Sequence, residues 1–184
     1  MNPSLSQQSV EPGALLLADP SLRDGIFNKS VILLADHNDE GSMGFILNQP
    51  TGKKVGDFLN GEEFAPLTRI PVHAGGPVAK EQLTFGSLWW DKEGRLGWSV
   101  RISAQEAIEQ TKRPGVLVRA FVGYSGWSAG QLNDEMEQNS WLVAKATREL
   151  LAREHDESLW AETLSPISAY HYLLTLCPAE PWLN

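Results

Sequence analysis

The pattern of apolar positions is clearest from residue 116 to residue 122, where apolar side chains follow one another almost without interruption. Valine or alanine occupies every second position of this run, and Arg119 is its one charged residue. Because a strand places successive side chains on opposite faces, both faces of the segment are largely apolar, which is typical of an inner strand. The pattern therefore predicts a strand in the middle of a sheet.

The pattern changes after this strand, because three glycines lie between residues 123 and 130. Glycine adopts backbone angles that other residues resist, so the segment predicts a sharp turn. Ser128 and Gln131 then have the spacing of a capping box, in which each side chain accepts a hydrogen bond from the backbone N–H of the other residue. We therefore expect a helix to begin at Ser128.

The spacing within that helix separates a buried face from a polar one, since residues three, four or seven apart lie on one side of a helix. The apolar residues of the buried face are Ala129, Leu132 and Met136. A neighbouring polar ridge consists of Gln131, Glu135 and Asn139.

Shorter apolar or β-rich runs predict further strands, at 14–18, 30–36, 42–48, 71–78, 83–90 and 96–102. A short loop with glycine near its end joins the second and third of these runs, so we expect an antiparallel hairpin there. In the last of these runs Trp98, Val100 and Ile102 alternate with Ser99 and Arg101. Helices are predicted at 103–110, where Ser103 and Glu106 have the spacing of a capping box, and at 147–154 and 157–164, with a helical turn at 55–59. Strands and helices do not alternate regularly, which indicates an α+β fold with a mixed, largely antiparallel sheet.

Length and composition indicate one soluble domain, because 184 residues can bury a core without disulfides or metals. Residues 1–12 are polar and are predicted to be a flexible tail, which leaves 13–184 as a single domain. The single cysteine, Cys177, can form no internal disulfide, and the start of the chain has no signal-peptide pattern. No apolar run approaches the length of a membrane-spanning helix. We therefore expect a cytoplasmic protein without a membrane segment.

Two segments carry a resemblance to a known family. GYSGWSAGQLNDEMEQNSW, at 123–141, and LADPSLRDGIFNKSVILLADHNDEGSMGFILNQP, at 17–50, resemble the signature segments of the AlgH/YqgE family. These are bacterial proteins often labelled transcriptional regulators, with no firmly assigned activity. The resemblance covers roughly residues 13–165 and weakens in the tail. It implies a bifurcated sheet, partly closed into a small barrel and surrounded by peripheral helices.

A hydrolase is one alternative function, since GYSGW at 123–127 is close to the Gly-x-Ser-x-Gly motif that presents a nucleophilic serine between a strand and a helix. Asp156 and His171 follow Ser125 in the order that hydrolases use. However, Trp127 occupies the position of the last glycine, and the family resemblance implies alanine at the position of Ser125. We therefore expect Ser125 to be a turn residue and predict no catalytic residue.

Metal and cofactor sites are not predicted. Residues 36–41 resemble the first half of a calcium loop, but the twelfth position is Leu47 rather than a bidentate glutamate. His37 and His73 have no ligands at metal-site spacing nearby, and the glycines at 75–76 form too short a loop to cradle a phosphate.

Direct binding to nucleic acid is disfavoured by the formal net charge of −8, because such binding draws most of its affinity from lysine and arginine. One aromatic and basic group of residues, Trp89, Trp90, Arg95, Trp98 and Arg101, has the composition that stacks on single-stranded nucleic acid. We expect most of these aromatic side chains to belong to the core instead.

The favoured binding site consists of Trp127, Gln131, Glu135 and Asn139, joined by Asn48 if the two signature segments meet in space. Amides and a carboxylate suit recognition of a polar ligand, a peptide or a partner protein, whereas one carboxylate without a second acid, base or metal suits no recognised reaction. Alternatively, these side chains satisfy the backbone of buried loops. The sequence thus favours a non-enzymatic binding or regulatory protein that acts through protein or small-ligand contacts. A regulator that contacts DNA and a hydrolase that uses Ser125 remain the alternatives.

Overall fold

A computed structural model describes residues 10–22, 25–152, 156, 158–170 and 173. Its strands are β1 (Ala14–Ala18), β2 (Val31–Asn38), β3 (Gly41–Ile46), β4 (Pro50–Lys54), β5 (Pro71–Ala74), β6 (Val78–Trp90), β7 (Leu96–Ile102), β8 (Leu117–Ser128) and β9 (Trp141–Lys145). Its α-helices are α1 (Ala104–Thr111), α2 (Gln131–Glu137), α3 (Arg148–Ala152) and α4 (Ser158–Leu164), and Val55–Asp57 and Glu62–Phe64 form 3₁₀ turns. None of the helices in this part of the chain combines the length and the apolar character needed to cross a membrane.

The strands form one mixed, mostly antiparallel sheet in the order β4-β5-β8-β3-β2-β1-β9, from which β6 and β7 branch at β8. Strand β8 pairs parallel with β5 and antiparallel with β3 and β6, so the prediction that it lies mid-sheet is confirmed. The predicted hairpin of β2 and β3 is also present. The fold is therefore α+β, as predicted, and the sheet bifurcates without closing into a complete barrel.

The bifurcation lies at Gly123. Up to Val122, β8 pairs with β5 and β6. After Gly123, Tyr124 still pairs with Val78 of β6, and residues 125–128 pair with β3. Gly123 has φ of +72°, and a Cβ there would lie 2.5 Å from the carbonyl oxygen of Gly76. Only glycine fits this conformation and this close approach. The sharp turn predicted at the glycines is thus wrong at Gly123 and Gly126, because neighbouring strands supply backbone partners and the chain continues as a strand to Ser128. The chain turns at Ala129 and Gly130.

Three clusters of buried residues fill the two sides of the branched sheet. The largest packs leucines of β1 and β2 against α3 and α4. A second lies below α2 and contains Trp127, Leu132 and Trp141. The third packs Ala107 and Ile108 of α1 against β5, β6 and β8. Each helix therefore covers apolar sheet surface, which gives the helices their tertiary support.

Several predicted boundaries differ from the structure. Helix α2 begins at Gln131 rather than Ser128, because Ser128 is still paired with Gly41 in the sheet. Ala129 is consequently exposed rather than buried, whereas Leu132 and Met136 do pack on the core. Strands β4 and β9 were not predicted, and β6 begins at Val78 rather than at residue 83. At the other end, Val10 already packs against the core, within the segment predicted to be a tail.

Candidate functional site

Glu135 lies at the centre of a hydrogen-bonded group with Trp127, Gln131 and Trp141, which we call the Glu135 cluster. Its Oε2 accepts hydrogen bonds from the indole Nε1 of Trp127 at 2.9 Å and of Trp141 at 2.7 Å. Its Oε1 accepts one from Nε2 of Gln131 at 2.9 Å. The two indole rings meet edge to face, with their centroids 6.1 Å apart. One carboxylate therefore joins the end of β8, helix α2 and the start of β9.

The polar atoms of the Glu135 cluster are used inside the protein. Trp127 and Trp141 are only 6% and 4% exposed, so their indole N–H groups need a partner within the fold. Oε1 of Gln131 also accepts from the backbone N–H of Ser128 at 3.0 Å, which is one half of the predicted capping box. This geometry favours the alternative in which these side chains support local structure.

Asn139 does not continue the predicted ridge, because α2 ends at Glu137 and Asn139 lies beyond its C-cap. Its φ is +56°, its N–H donates to the carbonyl of Met136, and the N–H of Ser140 donates to the carbonyl of Glu135. These two bonds and the left-handed residue define a Schellman motif. Asn139 therefore ends the helix, since asparagine tolerates the left-handed conformation better than most residues.

Asn48 uses its side chain in a different part of the fold. Its Oδ1 accepts from the backbone N–H of Val31 at 2.8 Å, and its Nδ2 donates to the carbonyl of Lys29 at 2.9 Å. Asn48 is 2% exposed, so this amide satisfies the buried backbone where β2 begins. Of the predicted site residues, the structure thus joins Trp127, Gln131 and Glu135 by side-chain bonds and leaves Asn48 and Asn139 with separate backbone roles.

Ser125 is a buried strand residue. It is 0% exposed, and its hydroxyl donates to the carbonyl of Gly75 at 3.1 Å. Substrate would have to reach this oxygen through the sheet, and no helix begins directly after it, so the nucleophile motif is absent in space. Asp156 is exposed, and His171 lies outside the described residues. The geometry gives Ser125 a structural role.

The other candidates from the sequence also have local roles. Residues 36–41 form the β2–β3 hairpin, in which Asn38 Oδ1 accepts from the N–H of Glu40 at 2.8 Å. Trp98 packs against the largest core cluster and donates its indole N–H to the carbonyl of Ala35 at 3.0 Å. Arg95 forms ion pairs with Asp91 and Glu93. Trp90 packs against the same core cluster as Trp98, and the guanidinium carbon of Arg113 lies 5.8 Å from the ring centroid of Trp89. Arg101 is the member of the aromatic and basic group that these local contacts do not explain.

Arg101 lies at a β-bulge in β7. Phe85 pairs with Ile102 and the next residue, Gly86, pairs with Val100, so Arg101 is an extra residue without a partner position on β6. Its φ is +56°, a left-handed conformation that non-glycine residues seldom adopt. A bulge redirects the side chain that it contains, and such features concentrate beside functional sites.

A second irregularity lies in β6, in its pairing with β8. Val78 pairs with Tyr124 and Leu83 pairs with Val122, so four residues of β6 bulge out opposite the single residue Gly123 of β8. Ala79, within this bulge, has φ of +51°. The two bulges and Gly123 border one open cleft of about 390 Å³, which we call the Arg101 cleft. It is lined by Ala79, Gln82, Leu83, Thr84, Arg101, Ile102, Ser103, Glu106, Gly123 and Tyr124.

The Arg101 cleft contains one cation and one anion that do not pair with each other. The guanidinium carbon of Arg101 lies 5.6 Å from the ring centroid of Tyr124, a cation–π contact. No carboxylate of the described residues forms an ion pair with Arg101. Glu106 instead caps α1: its Oε2 accepts from the N–H and the hydroxyl of Ser103, both at 2.8 Å. The backbone and then the side-chain bond from Ser103 lower the pKa of Glu106.

The sequence predicted α1, β7, much of β8 and the part of β6 from residue 83 onward, but neither the segment 79–82 nor the cleft itself. Strand β7 was predicted with its observed bounds, 96–102, and the capping box of Ser103 and Glu106 is confirmed. The predicted regular alternation of β7, however, stops at the bulge. Because a bulge is defined by the register of two strands, β7 alone contains no signal for the position of Arg101.

Comparison with known proteins gives a consistent family. A family model described as AlgH-like matches residues 15–170. A UPF0301 protein of Chlorobaculum parvum is 35% identical over 96% of this chain and 97% of the relative. A UPF0301 protein of Parabacteroides distasonis is 34% identical over 94% of this chain and 90% of the relative.

Two solved structures are similar to this fold. The AlgH protein from Pseudomonas aeruginosa has a TM-score of 0.67 and 26% identity, covering 92% of this chain and 95% of that one. A Corynebacterium diphtheriae protein has a TM-score of 0.68 and 23% identity, covering 90% and 91% of the two chains. The second likeness concerns the fold alone.

Proposed function

The chain belongs to the AlgH-like family, and from that premise we propose that it is a non-enzymatic, cytoplasmic binding protein that holds a small ligand in the Arg101 cleft. The single observation that carries the proposal is the convergence of three backbone irregularities on one cleft: the bulge at Arg101, the bulge at Ala79 and the left-handed Gly123. The single cysteine, which can form no internal disulfide, supports the location.

Non-glycine residues with positive φ are held in a strained backbone conformation. Among the described residues there are four, Lys29, Ala79, Arg101 and Asn139. Asn139 ends a helix, and the carbonyl of Lys29 is bonded by the buried Asn48. Ala79 and Arg101 remain, and both line the cleft. Strain of this kind costs on the order of 1–3 kcal/mol per residue and concentrates at ligand sites.

The Arg101 cleft also has the size and lining of a binding site. About 390 Å³ lies within the range of small-molecule pockets, which is roughly 300–1,000 Å³. Gln82, Thr84 and Tyr124 offer hydrogen-bonding groups beside the apolar Leu83 and Ile102. One carboxylate already engaged in capping a helix provides no general acid or base, which favours binding rather than catalysis.

A fragment screen by ¹H–¹⁵N NMR on the full chain tests the proposal. Small neutral and charged fragments should shift the amides of residues that line the Arg101 cleft. Gln82→Trp, which fills the cleft from its exposed rim, should abolish these shifts. Gln105→Trp is the matched control, because Gln105 is an exposed glutamine of α1 that does not line the cleft. Shifts that persist in Gln82→Trp, or that map onto α2 instead, would overturn the proposal.

Direct contact with DNA is disfavoured within this proposal, because the formal net charge of −8 opposes binding to phosphates. A salt-dependent affinity for duplex DNA that Arg101→Gln removes would restore the DNA-binding alternative. The expected result is no measurable binding at about 0.15 M salt.

A further inference from the structure

We infer that the ligand of the Arg101 cleft presents a single compact anionic group, a carboxylate or a phosphate, to the guanidinium of Arg101. The inference rests on the function proposed above and adds the chemical class of the ligand. It comes from the contrast between Arg101 and the other charged side chains around it.

Among the residues that the structure describes, Arg101 has an aromatic partner and no acidic partner. The guanidinium carbon of Arg101 lies over the ring of Tyr124, 5.6 Å from its centroid. An arginine that lies over an aromatic ring keeps N–H groups at its edge, and those groups match two oxygens of a carboxylate or phosphate. By comparison, Arg95 on the same hairpin already has its N–H groups bonded to Asp91 and Glu93.

The position of Arg101 is held by the backbone. As the extra residue of a bulge, it has no side chain directly opposite it on β6. The residues that follow it are fixed, since Ser103 caps α1 through two hydrogen bonds with Glu106. A side chain whose backbone is fixed in this way has less conformational freedom to lose when an anion binds than one on a flexible loop.

The charges around the cleft limit the anion to a small one. Glu106 lines the same cleft, and the hydrogen bonds from Ser103 lower its pKa, so it stays ionised near neutral pH. Tyr124 separates this cleft from a neighbouring groove lined by Asp36 and Glu40. A polyanion that extended past Tyr124 would meet Asp36 and Glu40 in addition to Glu106, whereas one carboxylate or phosphate group at Arg101 would have only Glu106 in the same cleft.

Isosteric probes test the class of ligand. Benzoate and benzamide have nearly the same shape and differ in charge, and inorganic phosphate supplies the other anion. NMR titrations of the full chain should give benzoate shifts at the cleft with an affinity about tenfold higher than that of benzamide. Arg101→Gln should weaken the binding of benzoate about tenfold. Arg101→Lys keeps the positive charge but loses the planar pair of N–H donors, so its affinity for benzoate should lie between those of the wild type and Arg101→Gln. Arg95→Gln, at an arginine already paired, should change the affinity less than about twofold.

The outcomes separate this inference from the proposed function. If benzamide binds the cleft as tightly as benzoate and Arg101→Gln changes neither affinity, the ligand class is wrong while small-ligand binding stands. If neither anion nor any neutral fragment shifts the cleft amides, both proposals fail. An equal loss in Arg95→Gln would show that net charge rather than Arg101 attracts the anion, which also overturns the inference. Binding of phosphate but not benzoate would support the inference and identify the anionic group of the ligand as a phosphate.

Discussion

Replacing Glu135 with alanine should destabilise the fold strongly, because it removes the acceptor shared by two buried indoles. Trp127 and Trp141 would each keep a buried N–H without a partner, at about 1–3 kcal/mol apiece. Glu135 is partly exposed, so water can replace some of the loss, and the expected total is about 2–5 kcal/mol. For a chain of this length that corresponds to a fall in Tm on the order of 5–15 °C.

The measurement is equilibrium unfolding in urea, followed by tryptophan fluorescence and by circular dichroism. Glu135→Gln keeps one acceptor oxygen, so it should lose only about 1–2 kcal/mol. Glu137→Ala is the control, since Glu137 is exposed on the same helix and should change stability by less than about 0.5 kcal/mol. If the free energy of unfolding of Glu135→Ala lies within about 0.5 kcal/mol of the wild-type value, the Glu135 cluster does not support the fold. Its polar groups would then be available for recognition of a partner.

Three further substitutions test local geometry. Gly123→Ala should lower the free energy of unfolding in urea by about 2–4 kcal/mol. Both the φ of +72° and the carbonyl oxygen of Gly76, which would lie 2.5 Å from the added Cβ, oppose a side chain there. An unchanged free energy of unfolding would refute the close approach. Asn139→Ala should lower stability by about 1 kcal/mol while Asn139→Gly leaves it equal or higher, since φ there is +56°; equal thermal shifts would contradict the helix-ending role. The hydrogen bonds from Ser103 lower the pKa of Glu106 below 4.5 in the folded state. The stability that ionised Glu106 contributes is therefore present above that pH, and it is lost as the pH falls through the pKa of the folded state. The wild type should therefore lose more stability than Glu106→Gln between about pH 5 and pH 3, measured as unfolding midpoints, and parallel curves would exclude the contribution.

Local patterns were sufficient for elements whose own residues determine them. The apolar run at 14–18 and the alternation at 96–102 predicted β1 and β7 with their observed bounds. The capping box at Ser103 marked the start of α1 because both of its bonds lie within one turn of the chain.

Elements that depend on distant partners were predicted less well. Strand β9 is five residues long and pairs along its whole length with β1, more than 120 residues earlier in the chain. Ser128 looked like a helix cap, yet its pairing with Gly41 keeps it in the sheet. The bulge at Arg101 likewise follows from the register of β6. In each case a non-local backbone pairing outweighs the local preference.

The predicted binding site shows the same limit. The spacing of Gln131 and Glu135 correctly placed them one turn apart on a helix, where their side chains bond. The sequence could not show that two indole N–H groups from flanking strands would donate hydrogen bonds to the same carboxylate. Polar side chains that suit a ligand also suit a buried tryptophan N–H, and only the fold distinguishes the two uses.

The Glu135 cluster and the Arg101 cleft both include residues of β8, and their difference favours the cleft as the candidate site. Trp127, near the end of β8, is fixed by Glu135, whose acceptor atoms are already used. Tyr124, three residues earlier, lies at the bifurcation and faces an arginine without a described acidic partner. A ligand gains free energy from groups that the fold leaves unsatisfied, and it gains more when those groups are already held in place. The proposed ligand therefore suits the Arg101 cleft better than the Glu135 cluster, whose polar atoms already have partners within the fold.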